Sequence, residues 1–169
     1  MSQTTQRIIN RSDIVAFAAI TETTTSGGTT TTTTTNYRMT KFSKFSPNKN
    51  AKEYNRQYVD EIAETSDVVG YAPAIDYSLD AHRNNPVHQH FQKVTDDEMI
   101  GDDATLDIIS VDVTNGDAYK RKWAIVPGAE GDSMNAYTYA GTLKAKGDAV
   151  HGTATTSDNW QTCTFTEDT

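Results

Sequence analysis

Two histidines and a cluster of acids are the residues of this chain whose types most directly suggest metal chemistry. His88 and His90 form an HxH pair, but on a helix positions i and i+2 point about 200° apart and cannot both reach one ion. The acidic stretch DDEMIGDD around Gly101 lacks the alternating ligands and the terminal glutamate of an EF-hand calcium loop. We interpret it as a solvated acidic turn, and we expect no metal ion and no other cofactor.

Nucleophilic catalysis and phosphate binding also lack their signatures in the sequence. Cys163 is the only cysteine, so no disulfide can form within the chain, and a thiol in a strand-like run usually serves as a small buried hydrophobe. The sequence contains no G-x-S-x-G elbow, and no glycine-rich loop followed by Lys and Thr leads into a helix. We therefore predict no catalytic residues and expect the protein not to be an enzyme.

The composition restricts the partners of the protein. The chain has 169 residues, a net charge of −8 and a mean hydropathy of −0.64. Specific or non-specific DNA binding depends on Lys and Arg to neutralise phosphates, so this acidic chain is not expected to bind DNA. No window approaches the roughly 20 apolar residues that a membrane span requires. The N-terminus lacks an apolar signal core, and we expect synthesis and folding in a cytoplasm.

The charge is distributed unevenly along the chain. Between residues 38 and 56 there are six basic residues and one acid, whereas residues 57–118 carry fourteen acids and two basic residues. Identical subunits could pair such complementary surfaces, although two differently solvated faces would give the same pattern. If the surfaces pair, the candidate contact residues are Lys41, Lys44, Lys49, Lys52 and Arg56.

The first third of the chain predicts an arm, a strand and a loop. Residues 1–12 are polar and resemble an N-terminal arm, and residues 14–21 (IVAFAAIT) form an apolar run typical of a strand buried on both faces. The threonine-rich stretch at residues 23–36 has no apolar face, so we expect an exposed loop, with an extended hairpin as the alternative. Residues 38–56 predict a basic strand followed by a loop at Pro47.

The stretch from Asn50 to Asp80 is the most informative part of the sequence. It contains two runs of strand-like alternation that form an economical hairpin. In the second run, one parity is apolar, which predicts an inward face consisting of Val69, Tyr71, Ile75, Tyr77 and Leu79. The other parity is small or acidic and predicts a water-facing surface that includes Ala72, Asp76 and Ser78.

The remaining sequence predicts one helix and several short strands. Asn85 and Pro86 are a favoured N-cap and first helical residue, and the spacing of Val87, Phe91 and Val94 predicts an amphipathic helix over about 85–95. Alternating runs at residues 106–113, 119–126, 136–145 and 160–166 predict further strands. The fold class is therefore mainly β, a sandwich or barrel with one short flanking helix, formed by a single domain at residues 13–169.

The phrases NAKEYNRQYVDE, SDVVGYAPAIDYSLD and NNPVHQHFQKVTDDEM resemble the major tail (tail tube) proteins of long-tailed phages and prophages of Gram-positive bacteria. The resemblance implies a subunit that closes into hexameric rings, which stack into a hollow tube conducting DNA from capsid to host. It also implies contacts with a tape-measure protein, a tail terminator and a distal tail protein, and localisation in the virion. In such a tube, Ala72, Asp76 and Ser78 would face the lumen and touch DNA only in transit.

A second hypothesis is an autonomous β-sandwich module, carbohydrate-binding or adhesin-like. Aromatic side chains are common in glycan platforms, and at strand spacing they are also common in cores and subunit contacts. The candidates are Tyr54, Tyr58, Tyr71, Tyr77, Tyr137 and Tyr139. A binding module would remain monomeric in solution, whereas a tube subunit would form rings or tubes.

Overall fold

The computed structural model describes residues 5–131 and 133–169 and has a mainly β fold with one α-helix, as predicted. The predicted arm at residues 1–12 lies partly outside the described residues; residues 5–10 are exposed and have no regular structure. The strands are β1 (Ile14–Ser26), β2 (Thr29–Arg38), β3 (Phe42–Asn48), β4 (Ala51–Arg56), β5 (Thr65–Tyr71), β6 (Ala74–Asp80), β7 (Thr105–Asp112), β8 (Asp117–Glu130), β9 (Thr138–Ala145), β10 (Val150–Thr155) and β11 (Thr162–Glu167). Helix α1 spans Pro86–Asp96.

The chain divides into two compact units. Unit 1 contains the residues up to Thr40 together with Asp107–Arg121 and Ala149–Thr169, and unit 2 contains Lys41–Leu106 and Lys122–Asp148. Each unit has its own group of buried apolar side chains.

Unit 1 is built from strands whose pairings form a closed cycle. β1 pairs with β2 and β7, β2 pairs with β11, β11 with β10, β10 with β8, and β8 is in turn the neighbour of β7. Closure of this kind removes free sheet edges. Its buried cluster includes Phe17, Ile109, Val111 and Cys163, and Trp160 packs against it with its ring centroid 6.2 Å from that of Phe17. Burial raises the pKa of the Cys163 thiol to about 11, which fits the predicted role of a small hydrophobe.

The threonine-rich stretch is a β-hairpin, so the predicted loop at residues 23–36 is wrong and the alternative is confirmed. Residues 21–26 pair with residues 29–34 throughout, and we call this part of the hairpin the threonine ribbon. Gly27 and Gly28 both have positive φ, which the tight turn between the strands requires. Facing hydroxyls hydrogen-bond across the ribbon at Thr21–Thr34, Thr23–Thr32 and Thr25–Thr30. The ribbon is exposed, as expected for a segment without an apolar face.

Unit 2 contains an antiparallel sheet in the order β3, β6, β9 and β8, covered on one face by α1. The inward parity of β6 is confirmed, since Ile75, Tyr77 and Leu79 are all buried. Phe91 of α1 lies against this face, with its ring centroid 4.8 Å from that of Tyr77 and 5.6 Å from that of Phe42. This contact joins the helix to the two strands.

The predicted inward orientation is wrong for the two residues that precede β6, Val69 and Tyr71. Val69 and Tyr71 are 65% and 63% exposed, because their strand ends before Pro73 and is not part of the sheet that contains β6. They belong to β5, which pairs only with β4 among the described strands, and the two strands form a separate hairpin. The alternating pattern of apolar residues therefore runs without interruption from Val69 to Leu79 in the sequence, although β5 and β6 are separate strands in the structure.

The helix begins where the sequence predicts and ends one residue later than expected. The Asn85 side chain accepts hydrogen bonds from the backbone amides of Val87 and His88, and Pro86 occupies the first turn. Val87, Phe91 and Val94 are fully buried, which confirms the predicted apolar face.

Pro47, expected to end β3, instead lies within it, because β3 is an edge strand whose outer side needs no backbone donor.

Candidate functional site

The solvent-facing surface of the β3–β6–β9 sheet contains two of the three predicted lumen residues. Asp76 and Ser78 lie on β6 with their side chains turned away from the buried parity. The Asp76 carboxylate lies 3.6 Å from the Lys44 ammonium and accepts a hydrogen bond of 3.3 Å from Thr142. Ala72 is not part of this strand: it lies before Pro73, and its amide donates to the carbonyl oxygens of Lys49 and Asn50.

The charge of this surface is mixed, whereas the sequence of β6 alone suggested a small or acidic face. Lys44 on β3 is paired with Ser78, and Lys144 on β9 is paired with Ala74. Both lysines are exposed and stand beside Asp76 on the same side of the sheet. Neighbouring strands therefore offset the acidity of β6, and the sequence of one strand does not reveal its cross-strand partners. The lumen assignment of Asp76 and Ser78 stays a prediction.

We call residues 38–56 the basic segment. Its five candidate contact residues are all exposed, but they do not lie on one element. Lys41 precedes β3, Lys44 lies on β3, and Lys49 lies in the connection to β4. Lys52 and Arg56 lie on β4, where the Arg56 guanidinium donates to the Tyr54 hydroxyl and stands 5.8 Å from the centre of the Tyr58 ring. The five positive charges are therefore spread over two strands and the residues next to them.

The β4–β5 hairpin carries the densest exposed apolar surface of the described residues. Seven of the fourteen large hydrophobic side chains that are exposed lie on it or in its loop: Tyr54, Tyr58, Val59, Ile62, Val68, Val69 and Tyr71. Val59 and Ile62 are completely exposed at the tip. An isolated two-stranded hairpin is marginally stable in water, and a concentration of exposed apolar side chains is typical of an interaction site. The hairpin is thus the best candidate for a protein contact.

The six candidate tyrosines do not form one platform. Tyr77 and Tyr139 are buried core residues, and burial raises the pKa of each hydroxyl to about 12. Tyr54, Tyr58 and Tyr71 belong to the β4–β5 hairpin, whereas Tyr137 lies beside a groove next to α1. The alternation of residues along a strand could not distinguish these locations, because it does not show which strands other elements pack against.

The two histidines of the HxH pair have separate structural roles. The Nδ1 atom of buried His88 accepts a hydrogen bond from the His82 amide, and His90 Nε2 donates to the Thr105 carbonyl oxygen. Burial lowers the pKa of His90, which favours its neutral form. Among the described residues, no group of three or more His, Cys, Asp or Glu side chains is placed to hold a metal ion. No helix in that part of the chain is long and apolar enough to span a membrane.

Comparison with known proteins gives a likeness of fold only. No protein-family model matches the chain. No curated protein matches it either. Seven chains of solved structures match, including one from the cryo-EM structure of the anti-feeding prophage (AFP) baseplate, 6-fold symmetrised, at 9% sequence identity and a TM-score of 0.46. That match covers 88% of this chain and 97% of the other.

Proposed function

We propose that the protein is a structural, non-enzymatic subunit of a phage tail tube. In this proposal six copies close into a ring, rings stack into a hollow tube, and the tube conducts DNA from capsid to host. The observation that carries the proposal is the β4–β5 hairpin, which pairs with no other described strand and exposes seven large apolar side chains. The sequence resemblance to tail tube proteins supports the choice of assembly, and it implies the tape-measure, terminator and distal tail proteins as partners.

Repeated contacts between identical subunits fit the features of unit 2. The edge strand β3 leaves backbone groups available for pairing with another chain, and the basic residues beside it complement the acids elsewhere in the sequence. Head-to-tail contacts of this kind close into rings when the rotation between subunits allows it. Negative-stain microscopy of the purified chain tests the proposal: we expect rings or tubes, and a monodisperse monomer at all concentrations would contradict it and favour the autonomous binding module.

Replacing the apolar tip of the hairpin should abolish assembly without unfolding the subunit. The double variant Val59→Ser, Ile62→Ser removes two exposed side chains whose burial in a contact would contribute about 1.5 to 3 kcal/mol each. Because both are exposed in the subunit, its free energy of unfolding should change by no more than about 0.5 kcal/mol. Sedimentation velocity measures assembly, and chemical denaturation measures folding.

The matched control for the hairpin variant is Ile100→Ser, since Ile100 is also highly exposed but lies outside the hairpin. We expect this variant to assemble like the wild type. If the double variant assembles normally, or if Ile100→Ser disrupts assembly equally, the hairpin is not the contact.

Ring stacking should depend on the positive charge of the basic segment. In the variant Lys49→Glu, Lys52→Glu, each reversed charge alters an exposed pair worth about 0.2 to 1 kcal/mol, and repetition around a ring adds these small terms. We expect tube formation at low salt to slow at least about tenfold, which needs a summed loss of about 1.4 kcal/mol. Light scattering across a salt series measures the rate, and the difference should shrink once the Debye length falls below about 8 Å.

The variant Lys93→Glu, Lys122→Glu gives the same change in net charge at two exposed lysines outside the basic segment. It should form tubes at the wild-type rate. Equal rates for the wild type and the Lys49, Lys52 variant at low salt would refute the electrostatic contribution and leave apolar and strand contacts as the cause of stacking.

A further inference from the structure

A groove in unit 2 lies beside α1 and has the size of a ligand site. Its volume is about 640 Å³, within the range of about 300 to 1,000 Å³ that is common for small-molecule sites. The side chains that line it include Arg83, Gln89, Gln92, Asp96, Tyr137 and Tyr139, together with His82 and Asn84. We call it the tyrosine groove.

Helix α1 supplies one wall of the tyrosine groove. Gln89, Gln92 and Asp96 occupy positions i, i+3 and i+7 and therefore share one face of the helix. This face is opposite in character to the apolar one that contains Phe91. Arg83 and both glutamines are exposed, and their side chains form no hydrogen bond or ion pair with another described residue. Their donors and acceptors are available to a ligand.

The aromatic part of the groove is held rigidly. Buried Tyr139 donates its hydroxyl proton to the Asp96 carboxylate, 3.3 Å from each oxygen, and this fixes the carboxylate at the groove. Tyr137 is 54% exposed, and its ring centroid lies 5.3 Å from that of Tyr139. Gly131 supports the Tyr137 ring so closely that a Cβ atom there would lie 3.0 Å from it. A site fixed in advance loses less entropy on binding.

The composition of the groove excludes several ligand classes. Phosphates and acidic sugars would require several cations, whereas Arg83 is the one permanently charged cation among the lining residues and Asp96 would repel an anion. Asp96 is also the one carboxylate among the lining residues that the structure describes, and glycoside hydrolysis normally requires two. A polar but nearly neutral ligand with a flat apolar face remains.

We infer that the tyrosine groove binds a neutral oligosaccharide. The exposed ring of Tyr137 stacks on the C–H face of a sugar ring, and the amides of Gln89 and Gln92 each donate to and accept from hydroxyl groups. The Asp96 carboxylate accepts from further hydroxyls, because the bonds from Tyr139 leave lone pairs on both of its oxygens. Arg83, which also lines the groove, supplies further donors. The site binds the sugar without cleaving it.

Saturation-transfer difference NMR on the full chain tests this inference with three neutral probes: maltotetraose, cellotetraose and tetra-N-acetylchitotetraose. The method reads binding to a monomer or to an assembled tube, so its outcome is independent of whether the protein forms rings. We expect saturation transfer to at least one probe, at a dissociation constant of about 1 mM or lower. Tyr137→Ala should weaken binding at least about tenfold, since it removes the stacking surface.

Gln92→Ala and Tyr54→Ala complete the design. Gln92 is exposed on a helix, so its replacement by alanine leaves the fold intact, and loss of its hydrogen bonds should weaken binding about two- to tenfold. Tyr54 is an exposed tyrosine outside the groove, and Tyr54→Ala should bind like the wild type. Absence of transfer from all three probes at about 5 mM, which is above the expected dissociation constant, would overturn the inference. Binding unchanged in both groove variants, or weakened equally by Tyr54→Ala, would also overturn it.

Discussion

Leu79→Asp should destabilise the protein by a large part of its free energy of unfolding. Leu79 has no exposed surface and is paired with Phe42 on one side and Tyr139 on the other. A carboxylate there would be buried without a partner, and substitutions of this kind destabilise by about 4 kcal/mol or more. A domain is typically stable by only about 5 to 15 kcal/mol. Denaturant unfolding followed by circular dichroism measures the loss.

Ser78→Asp is the matched control, because it introduces the same side chain one residue earlier on the opposite face of β6. Ser78 lies on the solvent-facing surface beside Lys44, where a new carboxylate remains hydrated and meets a positive charge. Its free energy of unfolding should change by no more than about 0.5 kcal/mol. A native-like Leu79→Asp variant would show that the parity of β6 is wrong.

Gly141→Ala should destabilise the protein by about 3 kcal/mol, the upper end of the usual cost of overpacking. A Cβ atom at this position would lie 2.4 Å from the Val126 carbonyl oxygen, 2.9 Å from the Tyr77 hydroxyl and 3.0 Å from the Gly128 amide nitrogen. Two of these neighbours are backbone atoms, so relief requires β8 and β9 to move apart. Thermal and denaturant unfolding measure the effect.

Gly70→Ala provides the comparison for the same chemical change. Gly70 also lies in a strand, but a Cβ atom there would meet only the Lys52 side chain, at 3.9 Å. With room available, alanine should be neutral or stabilise by up to about 1 kcal/mol, because it lowers the entropy of the unfolded chain. Similar effects at both positions would show that crowding against β8 does not explain the need for glycine at 141.

Local patterns in the sequence predicted those elements whose cause is itself local. The N-cap of Asn85 and the spacing of Val87, Phe91 and Val94 specify a helix by themselves, and the alternation in β6 identifies its buried face. The same alternation failed at Val69 and Tyr71, since burial depends on which elements cover a strand. The threonine-rich stretch has no apolar face, which favours a loop, but threonine also has a high strand propensity. The hairpin forms because facing threonine hydroxyls hydrogen-bond across the two strands.

The candidate sites depend on contacts between residues far apart in sequence. Lys44 and Lys144 flank Asp76 only after β3 and β9 pair with β6, so the mixed charge of that surface could not be predicted from β6. The tyrosine groove likewise brings Tyr137 to α1, more than forty residues earlier in the chain, and the hydrogen bond from Tyr139 to Asp96 spans 43 positions. No local motif marks this pairing.

The threonine ribbon has a consequence for engineering the protein. Its paired residues are nearly all threonine, so sliding one strand by two residues would replace threonine pairs with more threonine pairs. The threonine side chains therefore specify the register of the ribbon only weakly. The register must be set by the glycine turn at one end and, at the other end, by the pairing that begins with Phe17 opposite Arg38. Because neither determinant depends on the ribbon's length, threonine pairs could be added to the ribbon or removed from it as long as the turn at Gly27 and Gly28 is kept.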